Sequence, residues 1–403
     1  MNLSSGYPFW LVRHGLPFDY PALAEDIKTE VVIMGGGISG ALVSYYLTNA
    51  GVENVVVDGR TIGLGSTCAS TSLLQYEIDT PLSELQHKVG LYNAVRAYRL
   101  CDESIDTLQS IAAKIKFHEF EKLESLYYAA AKKDVKFIEE EFNIRKKHGF
   151  KVELLDEESI YKKFKMGAPS AILSAQGAQT NAYSFAHALH QYSIKKGTKV
   201  YDRTCVSKIE HRKNDVKLTT ENGHNIIANK LVFATGYESV KYIDEKIVDL
   251  QSTYAMCSEQ GNAVDTAFTH KALLWNTADP YLYLRTTSDN RILMGGRDEK
   301  FSNAKKRDEL LSGKRELLLK DFNKLYPAVV FKPEFSWCGT FGATKDGLPF
   351  IGEYKKLPNS YFALGFGGNG ITFSLIGAEI LKDIIVGKKN NDSEIFSFER
   401  LKI

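Results

Sequence analysis

The stretch Lys28-Thr29-Glu30-Val31-Val32-Ile33-Met34-Gly35-Gly36-Gly37-Ile38-Ser39-Gly40-Ala41-Leu42 decides the fold. A Val-rich strand over residues 31–34 runs into Gly35-x-Gly37-x-x-Gly40, then into a helix with Ile38, Leu42, Tyr45, Tyr46 and Ala50 on one side. Each glycine has its own task. Gly35 allows the strand-to-helix turn, Gly37 lets the backbone approach a pyrophosphate, and Gly40 lets the helix pack close on the strand. Phosphates would sit on free N–H groups at the helix N-terminus. A second strand, residues 55–57, ends on Asp58. That acid is placed to accept hydrogen bonds from ribose hydroxyls, which argues for adenosine without a 2′-phosphate. A glycine-rich tight turn in some other α/β protein is the competing reading of these residues.

Composition narrows the class. At 403 residues the chain has room for two or three domains. The formal net charge of +2, with basic runs interleaved with acids, argues against a nucleic-acid partner. Five scattered cysteines (Cys68, Cys101, Cys205, Cys257, Cys338) form no Cys-x-x-Cys pair, which fits a reducing compartment and excludes a redox disulfide. The nine histidines show no metal-ligand spacing, so no metal is expected. Residues 1–20 lack a signal-peptide core and no apolar run is long enough to span a membrane, so the expected location is the cytoplasm.

Downstream, Gly59-Arg60 leads into Ile62-Gly63-Leu64-Gly65-Ser66-Thr67-Cys68-Ala69-Ser70-Thr71-Ser72. So many small and hydroxyl residues suit a backbone that wraps a ligand; a plain flexible loop is the alternative. Helical spacing over 83–111 and 132–148 suggests a wall of a second domain. Residues 216–220 and 225–228 read as a hairpin around Asn222-Gly223 with a type I′ turn. A buried parallel strand follows, ending on Ala234-Thr235-Gly236.

From about residue 240 the period changes to two, giving strands over 248–256, 272–276, 281–285 and 291–294. Tyr281, Tyr283 and Arg285 share one face of the third; Leu282 and Leu284 take the other. A helix over 306–325 turns Leu310, Leu311, Leu317, Leu318, Phe322 and Leu325 inward. Near the C-terminus a strand passes through Gly365-Phe366-Gly367-Gly368-Asn369-Gly370 into a buried helix over 371–386. Its glycine-opened end is a second positive pole, suited to the N1 and C2-oxygen region of a reduced flavin.

Together, Gly35 to Gly40, Asp58, Gly65-Ser66-Thr67, Ala234-Thr235-Gly236, Trp337-Cys338-Gly339 with Thr344-Lys345-Asp346-Gly347-Leu348-Pro349, and Gly367-Gly368-Asn369-Gly370 resemble the D-amino-acid oxidase superfamily. The likeness is to its glycine oxidase, sarcosine oxidase and gamma-glutamylputrescine oxidase types, over residues 28 to 390. It implies an α/β fold: a discontinuous Rossmann-like FAD-binding domain (1–85, 165–237, 335–403) with an inserted antiparallel-sheet substrate domain (86–164, 238–334). It implies FAD contacts at Gly35, Gly37, Ile38, Ser39, Gly40, Asp58, Gly59, Arg60, Gly65, Ser66, Thr67, Thr71, Ser72, Ala234, Thr235, Gly236, Gly339 and Asp346. Val206 would meet the adenine, and Gly367, Gly368, Asn369, Gly370 and Ile371 the pyrimidine edge.

The departures bear on substrate. The family arginine that holds a substrate carboxylate, two residues after the Gly of the Trp-x-Gly segment, is replaced by Phe341. A second, before the last Asn-Gly, is replaced by Gly368. Without those bidentate anchors an amine, or a secondary amine with a distant acid, is favoured over a simple amino acid. Where sarcosine-oxidase-like members bond FAD through cysteine, this chain has Gly339, with Cys338 one residue off, so FAD is expected to be non-covalent.

The implied reaction is oxidation of a C–N bond to an imine, with oxygen or a quinone as final acceptor. Tyr254, Trp275, Tyr283, Arg285 and Phe341 are the pocket candidates, and for each a structural role competes. A flavin-bearing subunit whose partner takes the electrons is the alternative function, with Tyr7, Phe9 and Trp10 as possible contacts.

Overall fold

The strand Ile27–Met34 has Val31, Val32 and Ile33 fully buried, so both of its faces are covered. It lies mid-sheet, parallel to Asn54–Val57 on one side and Asn225–Phe233 on the other. Continuous burial of this kind is the mark of a central parallel strand. The computed structural model describes residues 1–261, 268 and 270–402. Among them the smaller sheet runs Phe350–Glu353, Ser360–Leu364, Asn225–Phe233, Ile27–Met34, Asn54–Val57, Lys199–Tyr201, with Val216–Thr220 and Val206–His211 extending it from Asn225–Phe233.

Helices cover one face. Ile38–Asn49 is buried nearly all round, because Ala182–Ile194 and Gly370–Ile385 pack on either side of it. Its approach to the strand depends on Gly40, where a Cβ would stand 1.8 Å from the Gly35 carbonyl oxygen. The opposite face is closed by the hairpin, through Val216, Leu218 and Ile226. The hairpin forms as expected, but its turn is longer than a two-residue type I′ loop. Thr219 pairs with Asn225, and of the central pair only Gly223 has positive φ.

The larger sheet runs Ser4–Gly6, Pro333–Thr344, Val248–Ser258, Ile292–Glu299, Tyr283–Thr286, Ala272–Asn276, Phe120–Tyr128, Ser170–Thr180, Leu73–Gln75, with Val152–Asp156 on Ser170–Thr180. It is mostly antiparallel, although Ala272–Asn276 and Phe120–Tyr128 run parallel. Ala304–Leu325 covers one face with Leu318 and Phe322. Leu317, expected inward, is exposed, because the apolar stripe of this helix is narrower than its leucine count suggests. The helical run expected over 83–111 is two helices, Leu82–Val89 and Leu91–Lys114, parted at Gly90. Several strands that fall wholly or mostly within the expected FAD-binding segments (Ser4–Gly6, Leu73–Gln75, Ser170–Thr180, and Pro333–Thr344 from residue 335 on) are hydrogen-bonded into this larger sheet.

A buried charge cluster braces its outer helices. Glu141 accepts hydrogen bonds from the N–H groups of Leu82 and Ser83, at 2.9 and 2.8 Å, and from Arg145 Nε at 2.7 Å. The carboxylate thereby caps one helix while neutralising a guanidinium from its own.

Candidate active site

A cavity of about 550 Å³ opens where the two sheets meet, and both glycine-opened helix ends line it. At the first, the Gly35 N–H donates to the Val57 carbonyl at 2.8 Å. The Gly36 N–H donates to Asp58 Oδ2 at 2.7 Å, and the Arg60 N–H to Asp58 Oδ1 at 2.8 Å. Asp58 therefore ties two turns together while facing the cavity; burial raises its carboxyl above the usual range, and those two N–H groups oppose the rise. Thr67 Oγ1 accepts the Ile38 N–H at 3.1 Å, and a Cβ at Gly37 would come within 2.7 Å of that oxygen.

Gly35, Gly37, Ile38, Ser39, Asp58, Gly59, Arg60, Gly65, Ser66, Thr67, Thr71, Ser72, Val206, Ala234, Thr235 and Gly236 all line this cavity. Gly40 does not, since its role is the helix–strand contact. Glu238, which the sequence reading missed, joins them: it pairs with Arg60 and Lys241 and accepts from the Met1 amino group.

At the second helix end, Gly367, Gly368, Gly370 and Ile371 face the cavity. Asn369 faces away, its Nδ2 donating to the carbonyls of Glu77 (2.7 Å) and Gln75 (3.2 Å). Asp79 tethers the same loop by accepting the Gly368 N–H at 2.6 Å and the Tyr281 hydroxyl at 3.1 Å. The two helices touch through the Ser39 and Ser374 hydroxyls, 2.7 Å apart.

The end formed by the larger sheet carries Thr253, Tyr281, Tyr283, Asp298, Thr340 and Phe341. Of the pocket candidates only Tyr283 and Phe341 reach the cavity. Arg285 shares the face of Tyr283 but lies behind it: Nη1 donates to Gln179 Oε1 at 2.9 Å, Nη2 to the Thr180 carbonyl at 3.0 Å, and the group stands 5.0 Å from the Trp10 ring. The N-terminal helix Phe9–His14, which buries Phe9 and Trp10, roofs that part of the sheet. Tyr254 lies on the opposite face, in the core beneath Ala304–Leu325. Trp275 stacks on Tyr127 with centroids 3.7 Å apart and supports Tyr281 from behind.

Asp346 joins Gly40 and Asn369 as an expected FAD contact that does not line the cavity. Gly339 lines it, whereas Asp346 holds Arg400 at 2.8 Å and accepts the Leu348 N–H at 3.0 Å. Cys338, beside Gly339, points the other way, its Sγ 3.2 Å from Ser5 Oγ and 3.4 Å from Asp308 Oδ1. Tyr281 was legible as a neighbour of Tyr283 at period two. Asp298 was not, because an acid at a strand end is usually solvated.

The cradle suits a dinucleotide. Ser66 Oγ is buried in it without a hydrogen-bond partner, and two helix N-termini present positive poles to one space. The family of FAD dependent oxidoreductases known as DAO matches residues 30–384. The chain belongs to the DAO family. FAD is its cofactor, and it is an FAD-dependent oxidoreductase; related members act on amines or amino acids.

Relatives include the gamma-glutamylputrescine oxidoreductase of Escherichia coli, 24% identical over 92% of this chain and 86% of that protein. A subunit of the opine oxidase of Rhizobium meliloti is 26% identical over 93% of this chain and 98% of its own. The crystal structure of glycine oxidase from Geobacillus kaustophilus shares the fold, with a TM-score of 0.79 and 19% identity over 93% of this chain and 99% of that one. The mixed α/β architecture, with its large sheet, matches that of DAO-family flavoenzyme structures such as glycine oxidase. No helix among the described residues is long and apolar enough to cross a membrane.

Proposed function

We propose that this DAO-family protein oxidises the C–N bond of an amine or amino acid to an imine, which water then hydrolyses. The observation that carries the reading is the single cavity shared by two helix N-termini at one end and by Tyr281, Tyr283, Phe341 and Asp298 at the other. When bound, FAD would supply a two-electron acceptor for the hydride of the carbon bearing the amine, whose nitrogen must first lose its proton.

The chain's own residues position and shield. Asp58 and Thr67 fix the first turn; Ser66, Thr71 and Ser72 offer hydroxyls along the cavity wall. The Gly370–Ile385 helix end favours negative charge gathered beside it, as a reduced flavin would place there. Tyr283 and Phe341 form apolar walls that orient the substrate and limit water. FAD is held non-covalently in this reading, because the Cys338 thiol is turned into the core and Gly339 takes the cavity side.

The test is an anaerobic spectral screen of amines and amino acids against the yellow protein. Bleaching by at least one of them, with an aldehyde or ketone product after air is readmitted, is the expected result. Bleaching only by alcohols or hydroxy acids would refute it. Repeating the reoxidation with oxygen and with a soluble quinone identifies the acceptor.

A second reading, a flavin-bearing subunit that works with a partner chain, is favoured by the similarity to a protein named as an oxidase subunit. Its expected aromatic contacts are reduced to Tyr7, since Phe9 and Trp10 are buried. Reduction by amine only after a partner is added would support it.

A further inference from the structure

The charges around the cavity are unevenly placed. Its basic side chains, Arg60 and Lys241, both stand at the Asp58 end, where Glu238 pairs with each. At the opposite end the charged side chain lining the wall among the described residues is Asp298. Phe341 and Gly368 bring no cation to this wall, and Arg285 spends its Nη donors on Gln179 and Thr180. A substrate carboxylate at this end would find an acid and no cation.

Asp298 is also incompletely satisfied. It lies at the end of the strand Ile292–Glu299, half-buried, and its Oδ1 is shut off from solvent without a hydrogen-bond partner. Its strand neighbours are better matched: Arg297 pairs with Asp321, and Glu299 accepts from Lys314. An unpaired, buried oxygen leaves this carboxylate poorly compensated, so a cation brought against the part of it that lines the cavity is correspondingly favoured. Tyr281 and Tyr283 add electron-rich rings to the same wall, a setting that favours a cation.

We infer that Asp298 anchors a positively charged nitrogen of the substrate, so that the site takes cationic amines with no free carboxylate beside the amine. This rests on the C–N oxidation proposed above, and it names the substrate class for that site. Several groups set the charge of Asp298. Burial pushes its carboxyl up to about 7 against the pull of the Thr253 hydroxyl; Asp79 and Asp279 add to the rise, and Lys314 from the helix behind opposes it. The Tyr281 and Tyr283 phenols also face it. Amine binding should therefore strengthen as pH rises through about 7, where the carboxyl ionises.

The experiment measures binding rather than turnover. FAD-loaded protein whose flavin has first been photoreduced, so that no substrate can be turned over, is titrated anaerobically with 1,4-diaminobutane, N-methylpropylamine, glycine and N-methylglycine, and dissociation constants are read by isothermal titration calorimetry. Wild type, Asp298→Asn and Asp298→Glu are compared at pH 6 and pH 8, with flavin content and circular dichroism as folding checks. Expected are tighter binding of the two amines than of the two amino acids, a loss of about tenfold or more for the amines in Asp298→Asn, and partial recovery in Asp298→Glu.

Amine affinity within about twofold of wild type in folded, flavin-loaded Asp298→Asn overturns the assignment. So does tighter binding of the amino acids by wild type. Amines that bind through Asp298 yet never bleach the oxidised flavin would support the anchor and refute C–N oxidation, so the two failures are separable.

Discussion

The Ser39 and Ser374 hydroxyls lie 2.7 Å apart and join the two helices whose N-termini line the cavity. Ser374 also bonds the Gly370 carbonyl at 2.5 Å, so one side chain couples the second glycine-rich turn to the first helix. Ser374→Ala should lower stability by about 1 kcal/mol and loosen FAD measurably. A urea denaturation curve and a flavin-retention assay check this, and an unchanged midpoint with unchanged retention would count against the coupling.

Gly37 faces a neighbour that cannot retreat. A methyl group there meets Thr67 Oγ1 at 2.7 Å, and that oxygen already accepts the Ile38 N–H. Gly37→Ala is expected to weaken FAD binding roughly tenfold, about 1.4 kcal/mol, with little change in far-UV circular dichroism. The ratio of 450 to 280 nm absorbance after dialysis reports it.

His187 and His190 give stability a defined pH dependence. Burial lowers both imidazoles to about 4; His190 Nε2 lies 2.9 Å from the Gly36 carbonyl oxygen, and His187 Nδ1 lies 2.9 Å from the Tyr20 hydroxyl. The folded values lie below the ordinary 6.5, so the unfolded chain takes up protons first as pH falls. Their contribution is complete above about pH 6.5 and is lost between there and about 4, at about 1.4 kcal/mol per pH unit for each. His190→Gln can keep a donor near Gly36 and removes one titration. Between pH 7.5 and 5.5 it should lose about 1 kcal/mol less than wild type; equal losses in urea titrations would disprove this.

Asp346 separates a stability role from a cofactor role. Its carboxylate holds Arg400 at 2.8 and 3.3 Å and sits outside the cavity. Asp346→Ala should cost about 2 kcal/mol and leave the FAD dissociation constant within about twofold. A large fall in FAD affinity at unchanged melting temperature would return Asp346 to the cofactor site.

Cys338 provides a direct check on how FAD is held. Its thiol faces Ser5 and Asp308, and burial raises its pKa. Acid precipitation should release all the yellow colour into the supernatant, and Cys338→Ser should leave the flavin content unchanged. Colour retained by the pellet would show a covalent link.

Local pattern determined much of this protein: the strand, turn and helix at residues 27–49, the period-two strands after residue 240, and the glycine-opened last helix all form close to where their spacing places them. These features depend on backbone sterics and on which side chains shun water, and both are properties of neighbouring residues. Tertiary structure decided the rest. Tyr283 reaches the cavity while Arg285, two residues on, is roofed by Trp10 and engaged by Gln179 and Thr180, residues more than a hundred positions away. Asp79 meets Gly368, and Asp298 joins the wall with an oxygen unpaired, only because the sheets bring distant segments together. Which polar group stays unsatisfied, and so awaits a ligand, depends on every atom packed around it, and no short stretch of sequence contains that information.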